Sequence, residues 1–193
     1  MSESVHKFRH IHDELDIRIS DLGCIMLDTD TVPVTEIMSK FKSSPQDDLY
    51  VSPRVEERKW INGAVGERSA HITLLYGLME KGLTWKRYVD ELLDGIDLHD
   101  IEIDCIDYFD SPYPDDPYYC IVAKVFVTEE LALAHSRLSY LPHINTFPEY
   151  NAHVTLAYIK KDVDILEQWL EGLSIGMDTY LIGREINYGG EFK

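Results

Sequence analysis

Apolar and polar positions along the chain predict a regular succession of strands and helices. Short apolar runs typical of buried strands occupy 22–27, 70–76 and 100–109. Between these runs, apolar residues recur every three or four positions over 33–41 and 85–93, which is the spacing of an amphipathic helix. The first part of the chain is therefore predicted to fold in the order strand, helix, strand, helix, strand.

The second part of the chain repeats this order. Strands are predicted over 119–127, 152–159 and 179–188. A helix is predicted over 128–141 because its apolar residues form one stripe, and Asp162 is placed to cap a helix between the last two strands. The two parts therefore share five elements in the same order, which indicates a duplication.

The segment 110–118 separates the two parts, and its three prolines and three aspartates favour a connection. We interpret 1–193 as one bilobal α+β domain, with lobes over about 22–109 and 119–188 and a charged N-terminal arm over 1–20. If the lobes pair about a pseudo-two-fold axis, their middle strands meet in a central cleft.

Those two middle strands carry nearly the same phrase, AHITL at 70–74 and AHVTL at 152–156. Side chains two residues apart in a strand point to the same face. Each phrase therefore presents an imidazole beside a hydroxyl on one face and places aliphatic side chains on the other. The four polar residues are His71, Thr73, His153 and Thr155.

Two imidazoles and two hydroxyls suit the cleavage of a phosphodiester. One histidine can take a proton from the nucleophile while the other gives a proton to the leaving oxygen, because imidazole titrates near neutrality. The threonine hydroxyls can donate to the nonbridging phosphate oxygens. This chemistry needs no metal ion and no cofactor. The alternative, a metal site built on two histidines, would require carboxylates or thiolates close to them, and neither phrase contains one.

Net charge restricts the substrate. The chain has 18 lysines and arginines against 35 aspartates and glutamates, a formal net charge of -17. Binding of long RNA or DNA depends on neutralising many phosphates, so a long nucleic acid is disfavoured. A small phosphorylated ligand held in a pocket is easier to accommodate.

Other features of the sequence favour a cytoplasmic protein. The three cysteines are odd in number and widely spaced, which is typical of reduced thiols. Neither a signal peptide nor an apolar run long enough to span a membrane is visible, so no membrane partner is expected. The sequence leaves the oligomeric state open.

The long segment 43–69 has no clear periodicity and gathers several arginines around Trp60. It is a candidate lid over a phosphorylated ligand, with Trp60 stacking on a base; the alternative is a surface excursion without function. Tyr76 and Tyr158 are further candidates for substrate binding. Each lies five residues after its histidine, however, so strict alternation places it on the core face.

The duplicated His-x-Thr-Leu strands resemble the 2H phosphoesterase superfamily, which includes LigT-like RNA cyclic phosphodiesterases and ligases, and phage anti-CBASS nucleases. The resemblance implies an α+β fold in which two antiparallel sheets line a central cleft. It implies that His71 and His153 form the acid–base pair and that Thr73 and Thr155 bind phosphate. The near-symmetry allows either histidine to be the base.

Within this superfamily, HITLLYG at 71–77 looks more like the phage branch, whereas Ala70 and Ala152 stand where many relatives have proline. The leading hypothesis is a metal-independent phosphodiesterase, host-cytoplasmic if viral. Its substrate would be a cyclic oligonucleotide messenger or a 2′,3′-cyclic phosphate. The alternatives are a nucleotide-binding sponge without turnover and a 2′,5′ RNA ligase or RNA end-processing enzyme.

Overall fold

The computed structural model describes residues 22–30, 47–50, 70–110, 118–145, 149–173 and 179–189. Within these ranges the chain forms six strands: β1 (Gly23–Thr29), β2 (Ala70–Leu78), β3 (Asp100–Asp110), β4 (Tyr118–Val125), β5 (His153–Lys160) and β6 (Tyr180–Asn187). The described helices are α1 (Lys86–Leu93), which follows a 3₁₀ turn at Gly82–Trp85, α2 (Glu129–Leu138) and α3 (Val163–Gly172). The helix predicted over 33–41 and the N-terminal arm lie outside the described residues.

All six strands join in the order β2-β1-β6-β3-β4-β5, and each neighbouring pair is antiparallel. The α+β class and the antiparallel strands are thereby confirmed. The two predicted sheets correspond to the strand triplets β2-β1-β6 and β3-β4-β5. A short pairing of Asp100–Glu102 with Tyr180–Ile182 joins them into one six-stranded sheet.

The strand order has the symmetry expected of a duplication. If β1 is interchanged with β4, β2 with β5 and β3 with β6, the strand order of the sheet reads the same from the opposite edge. The third strand of each unit, however, pairs with the other unit: β3 lies beside β4 and β6 beside β1. The two halves of the chain are therefore interleaved in space by an exchange of strands.

The two ends of the sheet approach each other, since β2 and β5 are in contact although they stand at opposite ends of the strand order. Loops link and cover these edges. The amide of Ile144, in the loop before β5, donates to Gly77 O of β2 at 2.8 Å, and the amide of Tyr50, in the loop before β2, donates to Tyr158 O of β5 at 2.9 Å. The sheet is thus curved, and its edge strands carry the two His-x-Thr phrases.

The aliphatic face of each phrase forms part of the hydrophobic core, as predicted. Ile72, Leu74, Val154 and Leu156 are fully buried in one cluster with residues of the described helices. Helix α2 packs against β2, and α3 packs against β5. The core therefore supports the phrases from behind and leaves their histidines and threonines on the opposite face.

Side-chain caps fix where two of the helices begin. Thr128 accepts a hydrogen bond from the Leu131 amide at the start of α2. The Asp162 carboxylate accepts from the Asp164 and Ile165 amides at the start of α3, as predicted. Each cap lies where the chain turns from a strand into a helix that covers the sheet.

Candidate active site

Two matched β-bulges shape the polar face of β2 and β5. On β2, Thr73 pairs with Met26 and Leu75 with Ile25, so Leu74 has no partner on β1. A bulge inserts one extra residue and reverses the alternation of side chains beyond it. Leu74 and Leu75 are consequently both buried, and Tyr76 is half-buried like His71 and Thr73.

The same bulge occurs at the same point of β5. Thr155 pairs with Val122 and Ala157 with Ile121, which leaves Leu156 unpaired. Leu156 and Ala157 are both buried, whereas Tyr158 is half-buried. The expectation that strict alternation places both tyrosines on the core face is therefore wrong. The two bulges return Tyr76 and Tyr158 to the faces that carry the histidines and threonines.

Cross-strand neighbours extend this match beyond the His-x-Thr phrases. On β1, Cys24 lies opposite Tyr76 and Asp28 opposite His71. On β4, Cys120 lies opposite Tyr158 and Lys124 opposite His153. Residues directly opposite in an antiparallel pair share one face and have neighbouring side chains. The two halves therefore present the same layout, except that the residue opposite the histidine is an acid in one and a base in the other.

The third strand of each triplet adds an equivalent polar residue. The Asn187 side-chain amide donates to both carboxylate oxygens of Asp28, each at 3.2 Å. At the corresponding place in the other triplet, Asp107 forms an ion pair with Lys124. Each histidine is thus flanked by a pair of polar side chains that bind each other. The pair near His71 is an amide with a carboxylate, and the pair near His153 is a carboxylate with an ammonium group.

His153 is held in one orientation by its neighbours. Its Nδ1 donates to Asn151 O at 2.7 Å, since the carbonyl can only accept. Its ring meets the Phe109 ring edge to face, with ring centroids 4.8 Å apart. In the neutral ring the proton therefore resides on Nδ1, which leaves Nε2 with a free lone pair for a substrate proton.

Burial lowers the pKa of His153 below its ordinary value of 6.5, and the charges of His71 and Lys124 act in the same direction. The hydrogen bond to Asn151 acts in the opposite direction because it favours the charged ring. His153 is consequently neutral at pH 7. The charge of His71 acts on this pKa, which indicates that the two histidines lie within electrostatic range of each other.

Thr155 belongs to a small polar group on the His153 side. The Thr155 Oγ1 lies 3.9 Å from the Cys120 thiol and is hydrogen-bonded to the Tyr158 hydroxyl. Burial raises the pKa of the Cys120 thiol to about 11 and also raises the pKa of Tyr158. Both groups stay protonated at neutral pH, so they supply hydrogen-bond donors beside Thr155, and Cys120 is not poised to act as a nucleophile.

The short described part of the predicted lid lies close to this group. In the segment 47–50, Leu49 forms an isolated bridge with Ile159. The Tyr50 ring stacks on Tyr118 with centroids 5.0 Å apart, and Tyr118 meets Tyr158 edge to face at 5.4 Å. Trp60 and the rest of 51–69 lie outside the described residues, so the lid remains a prediction.

Asp28, Lys124, Asp107, Asn187 and Phe109 are site residues that sequence reasoning missed. Two further repeats could have revealed most of them. CIMLD at 24–28 matches CIVAK at 120–124, and IDY at 106–108 matches INY at 186–188. These repeats fall on equivalent strands of the two triplets. Only the longer His-x-Thr repeat was distinctive enough to be recognised without the strand register.

Across the described part of the chain, no group of three or more His, Cys, Asp or Glu residues is close enough to hold a metal ion. The three cysteines, all in described strands, are free thiols and half-buried. No helix in the described ranges combines the length and hydropathy needed to cross a bilayer.

Comparisons with known proteins find similarity at the level of structure. Neither a protein-family model nor a curated protein matches the chain. Among solved structures, the chain is similar to Usb1 of Kluyveromyces marxianus, with 10% sequence identity over 79% of this chain and 80% of that chain, and a TM-score of 0.45. The candidate site is therefore characterised by the residues and geometry of this chain itself.

Proposed function

We propose that this protein is a metal-independent phosphodiesterase of the 2H type, with His71 and His153 as its acid–base pair. One observation carries the proposal: two strands that are remote in the chain contact each other, and each carries a matched imidazole–hydroxyl face. Their bulges coincide, and the charge of one histidine acts on the pKa of the other. A pair of imidazoles within electrostatic range can accept and donate protons on the same phosphate.

The proposed reaction moves two protons and exchanges one bond at phosphorus. A neutral imidazole takes the proton of the attacking oxygen, which is the substrate's own 2′-hydroxyl or, for a cyclic phosphate, a water molecule. The new O–P bond forms opposite the bond that breaks, and the second imidazole donates its proton to the leaving oxygen. Thr73 and Thr155 donate hydrogen bonds to the nonbridging oxygens as negative charge develops.

The proposed substrate is a compact phosphodiester, either a cyclic oligonucleotide messenger or a nucleoside 2′,3′-cyclic phosphate. The net charge of -17 disfavours long polyanions. Three tyrosines at the far end of β5 from His153 (Tyr50, Tyr118 and Tyr158) offer aromatic edges and faces of the kind on which nucleobases stack. On this proposal, Trp60 and Tyr76 contribute further stacking or edge contacts to the same substrate.

A substrate panel assayed in excess EDTA tests the proposal. It contains nucleoside 2′,3′-cyclic phosphates, cyclic di- and trinucleotides, and short RNAs with defined ends, and products are separated by chromatography. We expect at least one compact phosphodiester to be cleaved at a rate that EDTA does not change. Loss of all activity in EDTA and its return with a divalent cation would refute the metal-independent mechanism.

A nucleotide sponge would also bind these compounds, so binding and turnover must be separated. The protein is incubated with the ligand and then denatured by heat, and the released nucleotide is analysed. We expect a cyclic phosphate or a linearised product in the released pool. Quantitative release of intact ligand after long incubation would instead establish binding without catalysis.

A further inference from the structure

The two histidines stand in matched positions but face opposite charges. His71 lies directly opposite Asp28, whose carboxylate is hydrogen-bonded by the neutral Asn187 amide. His153 lies directly opposite Lys124. The strand, the register position and the flanking Cys-Ile sequence are the same in both halves, so the difference in charge is local to this pair of positions.

The opposite charges at these equivalent positions favour different protonation states of the two imidazole rings. A carboxylate beside an imidazole stabilises its protonated form, whereas an ammonium beside an imidazole stabilises its neutral form. Burial is the main cause of the lowered pKa of His153 and Lys124 adds to it, while the Nδ1 proton is held by Asn151 O. The arrangement therefore favours an imidazolium at His71 and a neutral imidazole with a free Nε2 at His153.

We propose that Asp28 and Lys124 are positioning residues that break the symmetry of the site, so that His71 is the general acid and His153 is the general base. The inference rests on the proposed phosphodiesterase function. His153 Nε2 takes the proton from the attacking 2′-hydroxyl, its oxygen bonds to phosphorus, and the bond from phosphorus to the leaving oxygen breaks. His71 gives its proton to that oxygen, which yields a 2′,3′-cyclic phosphate and a free hydroxyl.

Other charged and titratable groups near the pair modify this division of roles. Asp107 on β3 pairs with Lys124 and reduces its field at His153. Cys105 and Asp104 also lie close to Lys124, and the charge of His71 acts on His153. Cys120 and Tyr158 stay protonated and bring no charge at neutral pH. Burial is the largest cause of the lowered pKa of His153, and the charges of His71 and Lys124 add to it.

A change of leaving group distinguishes the two roles. The substrates are a ribonucleoside 3′-phosphodiester with an ordinary nucleoside leaving group and the matching 4-nitrophenyl ester. Nitrophenolate departs as a stabilised anion and needs little help from a general acid, while attack by the 2′-hydroxyl still needs the base. We use His71→Asn and His153→Asn because asparagine retains one amide N–H near the position of Nδ1.

We expect His71→Asn to lose at least 100-fold in kcat on the nucleoside ester and less than about 10-fold on the nitrophenyl ester. His153→Asn is expected to lose at least 100-fold on both esters. The reverse pattern, with His153→Asn rescued by the nitrophenyl group, would overturn the assignment while leaving the proposed function intact. If the wild-type protein cleaves neither ester nor any member of the substrate panel, the proposed function itself fails.

The role of the two charges is tested by titrating each histidine by NMR in Asp28→Asn and Lys124→Met. We expect Asp28→Asn to lower the pKa of the His71 ring, and Lys124→Met to raise the pKa of His153. Asp110→Asn and Lys161→Met serve as matched controls, because this exposed ion pair joins β3 to the end of β5. Unchanged titration curves in both cleft variants, or equal shifts in the controls, would refute the inference.

Discussion

Replacement of Thr155 by valine tests whether the threonines act on the transition state. Valine has the shape of threonine without its hydroxyl, so the strand and its core face stay in place. In the folded protein the Thr155 hydroxyl lies 3.9 Å from the Cys120 thiol and is hydrogen-bonded to the Tyr158 hydroxyl, which also has Cys120 as a partner. Loss of the Thr155 hydroxyl should lower the free energy of unfolding by about 1 kcal/mol.

The effect on catalysis should be much larger. Removal of one preorganised donor to a developing oxyanion lowers kcat by about 100- to 1000-fold, or about 3 kcal/mol. We expect Thr155→Val to lower kcat in this range with little change in KM, and Thr73→Val to do the same. The measurements are steady-state kinetics on the preferred compact phosphodiester and urea unfolding of the same samples.

A third threonine provides the matched control. Thr128 caps α2 through its side chain and stands outside the two phrases. Thr128→Ala should lower the free energy of unfolding by about 1 kcal/mol and leave kcat unchanged. If Thr155→Val loses less than threefold in kcat, or if its loss of activity merely follows its loss of stability, the proposed role of the hydroxyls is wrong.

Further predictions concern pH and packing. Because the pKa of His153 is lowered, the rise of kcat/KM with pH should have an apparent pKa below 6.5. An apparent pKa above 6.5 for this rise would contradict the assignment of His153 as the base. The unfolded chain binds a proton at His153 more readily than the folded one, so the free energy of unfolding should fall as pH drops below 6.5, and less steeply in His153→Gln. Trp169→Phe removes the Nε1 hydrogen bond to Asp48 at 3.2 Å and part of a fully buried ring, so it should lower the free energy of unfolding by more than about 1 kcal/mol; an unchanged urea unfolding curve would contradict both contributions. Gly183→Ala would place a Cβ 1.9 Å from Leu98 O, so we expect a loss of about 1 to 3 kcal/mol, and wild-type stability would contradict the close approach.

The sequence predicted the elements and the faces of the two phrases because these follow from local patterns. Alternation of side chains in a strand is enough to place Ile72 and Val154 in the core. The cap at Asp162 follows from its position before an apolar stripe. Such features depend on residues only a few positions apart, so a single sequence reveals them.

Features that depend on strand pairing could not be predicted from the sequence alone. The bulges at Leu74 and Leu156 exist only relative to β1 and β4, so periodicity alone wrongly turned Tyr76 and Tyr158 toward the core. The exchange of β3 and β6 between the halves is likewise invisible without the register. Lys124 lies far from His153 in the chain and becomes its neighbour only across β4 and β5.

The two histidines carry the central claim, and their substitution tests it most directly. Turnover of the preferred substrate and its binding affinity are measured side by side for the wild-type protein, His71→Asn and His153→Asn, with EDTA present. Each variant should lose at least about 100-fold in kcat while its dissociation constant changes by less than about 10-fold. Full turnover in either variant would contradict the account, because one of the two imidazoles would then be dispensable for the chemistry.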